Sequence, residues 1–253
     1  MKSGTSLLRK LVARHSQVFG GLETHWFSED LQRHWRDPHT RRAEWLRGFF
    51  DVTLEDYLSS IETSASGCDL FDQVMTACTA RANKQRWVEK TPDNVLHFEL
   101  ARRAWPDARA LHVVRDHRDV YASWKRNQKL SLEAFLAQAH EIREKLGALY
   151  GAPQGWYAEV RYEDLVRDLE PTMRSVIAHV GVPWEDEVAK YQGDDADHRK
   201  VLEVTGKASA TTESLKRPVF ESSVGQWRAV LDADEVATIE RELGDALGQW
   251  GYA

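Results

Sequence analysis

The sequence predicts an α/β fold, a parallel sheet flanked by helices, and three observations carry that reading. Lys2-Ser3-Gly4-Thr5-Ser6-Leu7-Leu8 places small polar residues directly before a helix-spaced apolar run, Leu7, Leu8, Leu11 and Val12. A short strand at 86–89, a helix at 93–105 and a buried parallel strand, Ala110-Leu111-His112-Val113-Val114, then alternate as a strand–helix–strand unit. Arg115 follows that strand at once, at the carboxyl end where ligands of open α/β sheets bind.

Taken in order, 7–15 reads as the first helix, and a loop through Gly20–Gly21 follows it. An aromatic, charge-rich stretch follows with Trp26, Phe27, Trp35, Trp45, Phe49 and Phe50. Its rings are expected to pack a core or a lid, with an acceptor-binding wall as the lesser reading. Helices are expected at 54–61 and 70–82, which makes 24–83 a helical, aromatic-rich insertion in a single domain spanning 1–253. Beyond Val114 come helices at 116–128 and 132–149, a strand at 156–161, and a helix at 172–180 closed by Gly181. The polar segment from Gln192 to Pro218 reads as loop. The last helix carries Val236, Ile239, Leu243, Leu247 and Trp250 on one face.

Composition narrows the function. The 253 residues, 42% of them hydrophobic, suffice for one large core. A net charge of −6 argues against a general nucleic-acid binder but leaves room for a local basic cluster around an anion. Two cysteines ten apart in a helical segment speak against a disulfide and fit a reducing cytosol, so a cytoplasmic protein is expected. No run is apolar enough to span a bilayer, and Met1 leads straight into a polar loop, which predicts no signal peptide. The ten histidines show no H-x-x-x-H spacing, and no metal site is expected.

A helix start with free N–H groups and a positive dipole end binds phosphate or sulfate. Gly4 lets the backbone approach the anion, and Lys2 adds a mobile charge. Read alone, the same four small residues also suit an ordinary helix cap. The loop is not a Walker A motif, because its lysine precedes its only glycine, so ATP hydrolysis is a poor reading. Ser123 lies eight residues after Arg115, about two helical turns on. A guanidinium and a hydroxyl so placed suit a phosphate clamped from two sides. The alternative makes Arg115, Asp116, Arg118 and Asp119 a solvated ion-pair cluster capping the helix.

With these motifs the chain resembles the sulfotransferases that use 3′-phosphoadenosine 5′-phosphosulfate (PAPS). The similarity continues through Val88-Glu89-Lys90-Thr91-Pro92, Val160-Arg161-Tyr162-Glu163-Asp164-Leu165 and Ser222-Ser223-Val224-Gly225-Gln226-Trp227. It implies that Lys2, Ser3, Gly4, Thr5, Ser6 and Leu7 bind the 5′-phosphosulfate and that Arg115 and Ser123 bind the 3′-phosphate. It further implies that Lys90 polarises the sulfonate, that Tyr162 contacts the 3′-phosphate end, and that Arg217 in Lys216-Arg217-Pro218-Val219 covers the nucleotide. The nearest flavour is that of the tyrosylprotein and related bacterial enzymes, where a G-x-E-[ST] segment follows a helix ending near a histidine. Here these are Gly21-Leu22-Glu23-Thr24 and His15, which implies Glu23 as general base. The sequence predicts neither the secretory anchor nor the paired cysteines of the animal enzymes, so the acceptor stays open: a small molecule, sugar, lipid or peptide tyrosine. Oligomeric state is equally open. The family's buried strand ahead of the loop has no counterpart, since only Met1 precedes Lys2. The expected sheet lacks its first strand, through a late chain start, an incomplete sheet, or a degenerate relative that binds cofactor poorly.

The expected reaction is sulfuryl transfer from PAPS to a hydroxyl or phenol, giving a sulfate ester and 3′,5′-ADP. Like phosphoryl transfer, it rests on positioning and electrostatic stabilisation. Lys2 and the loop amides suit the leaving phosphate, Lys90 the sulfonate oxygens, and Glu23 or His25 the acceptor's proton. These fixed cations need no metal. Glu23 as a mere surface or capping carboxylate is the bland alternative. The rival functions are a non-catalytic nucleotide-binding or interaction protein with a degenerate fold, and a kinase, which would need ATP and Mg²⁺.

Overall fold

A computed structural model describes residues 2–27, 29–128, 131–151, 153 and 155–252. In chain order the elements are α1 (Thr5–Ala13), β1 (Val18–Gly20), α2 (Glu29–His34), α3 (Arg41–Phe50), α4 (Leu54–Thr63), α5 (Gly67–Arg81), β2 (Arg86–Val88) and α6 (Phe98–Ala104). They continue with β3 (Ala110–Val114), α7 (His117–Gln128), α8 (Leu132–Leu146), β4 (Tyr157–Arg161), α9 (Tyr162–Arg167), α10 (Leu169–Val180), α11 (Ala196–Thr205), α12 (Ala210–Ser214) and α13 (Ala233–Gln249).

The expected parallel sheet is realised as two pairs of strands, β1 with β2 and β3 with β4, both parallel. No strand precedes the Lys2–Leu8 segment among the described residues. The chain divides into two compact units, one of Met1–Thr5, Asp107–Gly181 and Phe220–Ala253, the other of Ser6–Pro106 and Val182–Val219. Among the described residues no helix is long and apolar enough to cross a membrane.

In the unit of Ser6–Pro106 and Val182–Val219, the aromatic stretch packs a core, as expected. Trp26, Phe27, Leu46, Phe50, Tyr57, Leu70, Phe71 and Met75 are buried together. Trp26 stacks on Phe71 at 5.0 Å, and Phe71 meets Trp87 edge-on at 5.6 Å. The helices feeding this core start at side-chain caps: Thr40, Thr53 and Ser66 accept from the amides of Ala43, Asp56 and Asp69. The Lys84 ammonium donates to the carbonyls of Ala13, His15 and Val18 at 2.8–3.1 Å, satisfying the end of α1 and the start of β1.

The segment expected as loop from Gln192 to Pro218 contains α11 and α12. Hydropathy misses α11 because charge seats it. Asp197 is buried against Arg9 and Lys10 of α1, and Lys200 pairs with Asp51 at 2.6 Å. The three-residue strand β1, read as loop, is too short to show a period. The expected helix at 93–105 is a 3₁₀ segment, Pro92–His97, running into α6.

In the other unit α7, α8 and α13 bury Val120, Tyr121, Trp124, Phe135, Ala139, Ile239 and Leu243 against one another, and Val114 of β3 packs with Ala246 and Trp250. Asp232 and Glu235 close a reciprocal capping box at the start of α13. Helix α10 ends at Gly181 in the left-handed region, as its sequence predicts.

Candidate active site

Parallel register builds one cluster in the unit that holds β3 and β4. Val114 is paired with Arg161, so the next residues, Arg115 and Tyr162, leave neighbouring strand ends side by side. The Arg115 guanidinium lies 4.5 Å from the Tyr162 ring centroid. It donates to the Lys2 carbonyl at 2.8 Å and to the Ser223 carbonyl at 2.5 Å, while the Tyr162 hydroxyl meets the Ser223 hydroxyl at 2.5 Å. Thus Arg115 ties the N-terminal loop to the Ser222–Trp227 segment. Its Nε is buried and has no hydrogen-bond partner among the described residues.

Gly4 sits at φ +92, and a Cβ there would stand 2.3 Å from Tyr162 Cδ2, so only glycine lets the loop approach the ring. Gly4→Ala is expected to destabilise the protein by about 1–3 kcal/mol, a clash added to a backbone conformation that alanine avoids. An unchanged Tm would contradict that close approach.

The Arg115–Asp119 stretch is not a solvated cluster: Arg115, Asp116, Arg118 and Asp119 are all buried. Buried charges need partners. Arg118 donates twice to Asp116, at 3.0 and 2.9 Å, and once to Glu240 at 2.7 Å. Asp119 accepts from the Gly225 and Trp227 amides at 2.7 and 2.9 Å and so shapes the segment that Arg115 holds. Ser123 lies half-buried on α7.

In the unit that holds β1 and β2 the same logic recurs. Gly20 is paired with Val88, so Gly21–His25 and Glu89–Thr91 leave adjacent strand ends. Lys90 extends its ammonium to the Ser6 hydroxyl at 2.8 Å and ion-pairs with the Glu23 carboxylate. Burial pulls the Lys90 ammonium below the ordinary lysine range, and Glu23 partly offsets that. Glu23 is neither a helix cap nor a free surface carboxylate, since Lys90 holds one oxygen and His25 Nε2 stands 3.5 Å from the other. His25 adopts a left-handed backbone, φ 52. Burial, then the Arg42 charge, lowers its pKa below the usual 6.5, so the imidazole is neutral at pH 7.

Sequence reasoning assigned no role to Glu89, yet its carboxylate collects the most bonds here. It accepts from the Thr24 amide at 3.2 Å, the Thr24 hydroxyl at 2.9 Å, the Thr91 hydroxyl at 2.7 Å, and the Asn94 amide. Its position between Val88 and Lys90 was visible; its partners come from a distant segment and were not. Arg217 is exposed, bonded through its amide to the Ser214 carbonyl at 3.4 Å. Leu7 follows Ser6 on α1, half-buried.

Residues 1–186 match the model of the sulfotransferase family. The chain belongs to that family. Among curated proteins it is similar to an uncharacterised protein of Aquifex aeolicus, 22% identical over 90% of this chain and 29% of that protein. It is also similar to protein-tyrosine sulfotransferase A of Caenorhabditis elegans, 23% identical over 96% of this chain and 64% of that protein. The chain therefore spans less than two thirds of either relative's length. Its fold matches the sulfotransferase domain of the Synechococcus PCC 7002 olefin synthase, with a TM-score of 0.70 over 99% of this chain and 91% of that one at 20% identity. The sulfotransferase domain of the curacin biosynthetic pathway gives 0.69 over 99% and 94% at 16% identity.

Proposed function

We propose that this chain transfers the sulfuryl group of PAPS to a hydroxyl or phenol acceptor, releasing 3′,5′-ADP and a sulfate ester. The observation that carries the reading is the buried Lys90 ammonium, held between the Ser6 hydroxyl and the Glu23 carboxylate. A buried cation beside a carboxylate and next to a small-residue helix start suits transfer of an anionic group.

The residues present fit the nucleotide. Gly4 clears the loop's approach, Lys2 and Arg115 supply cations, and the Arg115 Nε, without a partner among the described residues, offers a buried donor. Its two terminal nitrogens now serve carbonyls, which a 3′-phosphate would replace as the stronger acceptor. Arg115, Ser123 and Tyr162 would hold that phosphate, Lys2 to Leu7 the phosphosulfate, and Arg217 would cover the nucleotide.

In the reaction the acceptor oxygen forms a bond to sulfur as the bond from sulfur to the 5′-phosphate oxygen breaks. Lys90 stabilises the sulfonate oxygens, and Lys2 with the loop amides stabilises the departing phosphate. The acceptor's proton passes to Glu23, with His25, neutral at pH 7, as the other base within reach of that carboxylate. Small molecules, sugars, lipids and peptide tyrosines all present the required hydroxyl.

The test is incubation with PAPS and a panel of phenols and alcohols, reading 3′,5′-ADP and the sulfate ester together. Nucleotide binding without ester from any acceptor would favour a non-catalytic binding protein, and a requirement for ATP and Mg²⁺ would favour a kinase. Binding gives a second check. Arg115→Ala and Ser123→Ala should weaken 3′,5′-ADP by roughly ten- to a hundred-fold and 5′-AMP far less, the loss of a charge-assisted hydrogen bond. Equal losses for both nucleotides would remove Arg115 and Ser123 from the 3′-phosphate.

A further inference from the structure

We infer that Glu89 is a positioning residue that locks the segment carrying Glu23 and His25 to the segment carrying Lys90; the inference rests on the sulfuryl-transfer reading of that site. One carboxylate joins two segments more than sixty residues apart in sequence. Its Oε1 accepts from the backbone and hydroxyl of Thr24, which lies between Glu23 and His25, and from the hydroxyl of Thr91, which follows Lys90. Its Oε2 accepts from the Asn94 amide.

The bonds interlock beyond Glu89 itself. The Thr91 hydroxyl accepts the His25 amide at 3.0 Å, and the Thr24 hydroxyl accepts the Trp26 amide at 3.1 Å. Glu89 thus fixes the backbone that follows Glu23, at Thr24 directly and at His25 through Thr91, while the ion pair with Lys90 fixes the tip of Glu23. Trp26 is fully buried in the aromatic core, so the segment is anchored to a rigid body. His25 holds a left-handed backbone here, a conformation that needs its surroundings to maintain it. A carboxylate is the one short acceptor able to take four donors at once. The consequence for function is that base and cation are set relative to each other before substrate arrives.

Positioning and proton transfer make opposite demands on Glu89→Gln. If Glu89 positions, the glutamine amide oxygen keeps the two Thr24 bonds and the Thr91 bond. Its NH₂ then donates to Asn94 once that side-chain amide turns over. If Glu89 itself takes the proton, glutamine is as damaging as alanine.

The first readout needs no acceptor. Amide hydrogen exchange across 22–26 should quicken by about tenfold in Glu89→Ala, where the Thr24 amide loses its partner, and stay close to wild type in Glu89→Gln. The second readout is turnover, with 2-naphthol and PAPS as the probe pair. Glu89→Ala should lower kcat by about ten- to a hundred-fold with an unchanged affinity for 3′,5′-ADP, and Glu89→Gln should restore most of it. Should Glu89→Ala be poorly folded, Thr24→Val and Thr91→Val each remove one hydroxyl bond to Glu89 and with it the partner of the Trp26 or the His25 amide, and should each quicken exchange in the same segment. Exchange that is unaltered in Glu89→Ala, or as fast in Glu89→Gln as in Glu89→Ala, overturns the inference. The predicted exchange pattern across these variants, in a protein that makes no sulfate ester from any phenol or alcohol of the panel, overturns the functional reading instead and leaves Glu89's structural tie intact.

Discussion

Lys90→Met should lower sulfuryl transfer by about 10²–10³-fold, the usual loss when one preorganised electrostatic group is taken from a developing charge. Methionine keeps the length and volume of the lysine stem, so packing around the buried site is nearly conserved. What disappears is the ammonium that Ser6 and Glu23 hold in place. Affinity for 3′,5′-ADP should change little, because that product carries no sulfonate. The pH profile supplies an independent check. The working form of Lys90 is the cation, and burial lowers its pKa below the ordinary lysine value of 10.5. Activity should therefore fall with rising pH earlier than an ordinary lysine would allow, and this alkaline limb should be missing from Lys90→Met. A variant with full turnover would detach Lys90 from the sulfonate.

Much of the frame is legible in the sequence because it obeys periods. Ala110–Val114 is a strand apolar at every position but His112, and Ile239, Leu243 and Leu247 recur at helical spacing and are buried. The elements that escape notice lack such a period. Strand β1 has three residues, and α11 is seated by Asp197 and Lys200 rather than by an apolar face. At the site, the motifs locate the charged residues but not their duties. Arg115 is correctly set at a strand's carboxyl end, yet its terminal nitrogens bind carbonyls of two other segments. The alternative reading of Asp116, Arg118 and Asp119 as solvated helix-cap charges fails, because they are buried struts. The reason is the same throughout: spacing along the chain reports local neighbours, whereas these side chains answer to segments brought in by parallel strand register.

The register argument also bears on Glu23, whose replacement should have the largest effect of all. Glu23→Gln preserves shape and polarity while removing basicity, so turnover should drop by about 10²–10⁴-fold if this carboxylate takes the acceptor's proton. Affinity for 3′,5′-ADP should be nearly unchanged, since the base does not hold the nucleotide. A second consequence separates this variant from a simple loss of a base. Glu23 is the main charge that raises the buried Lys90, set against the burial that lowers it. Removing the carboxylate leaves Lys90 lower still, so whatever activity survives should decline at a lower pH than in the wild type. Kinetics at saturating PAPS across the neutral-to-alkaline range measure both effects. His25 provides the contrast: its neutral imidazole stands 3.5 Å from Glu23, and His25→Ala removes it without touching the Lys90 ion pair. A small loss in His25→Ala beside a large one in Glu23→Gln assigns the proton to the carboxylate. The reverse ranking would move it to the imidazole, leaving Glu23 as the anion that keeps Lys90 charged in a buried site.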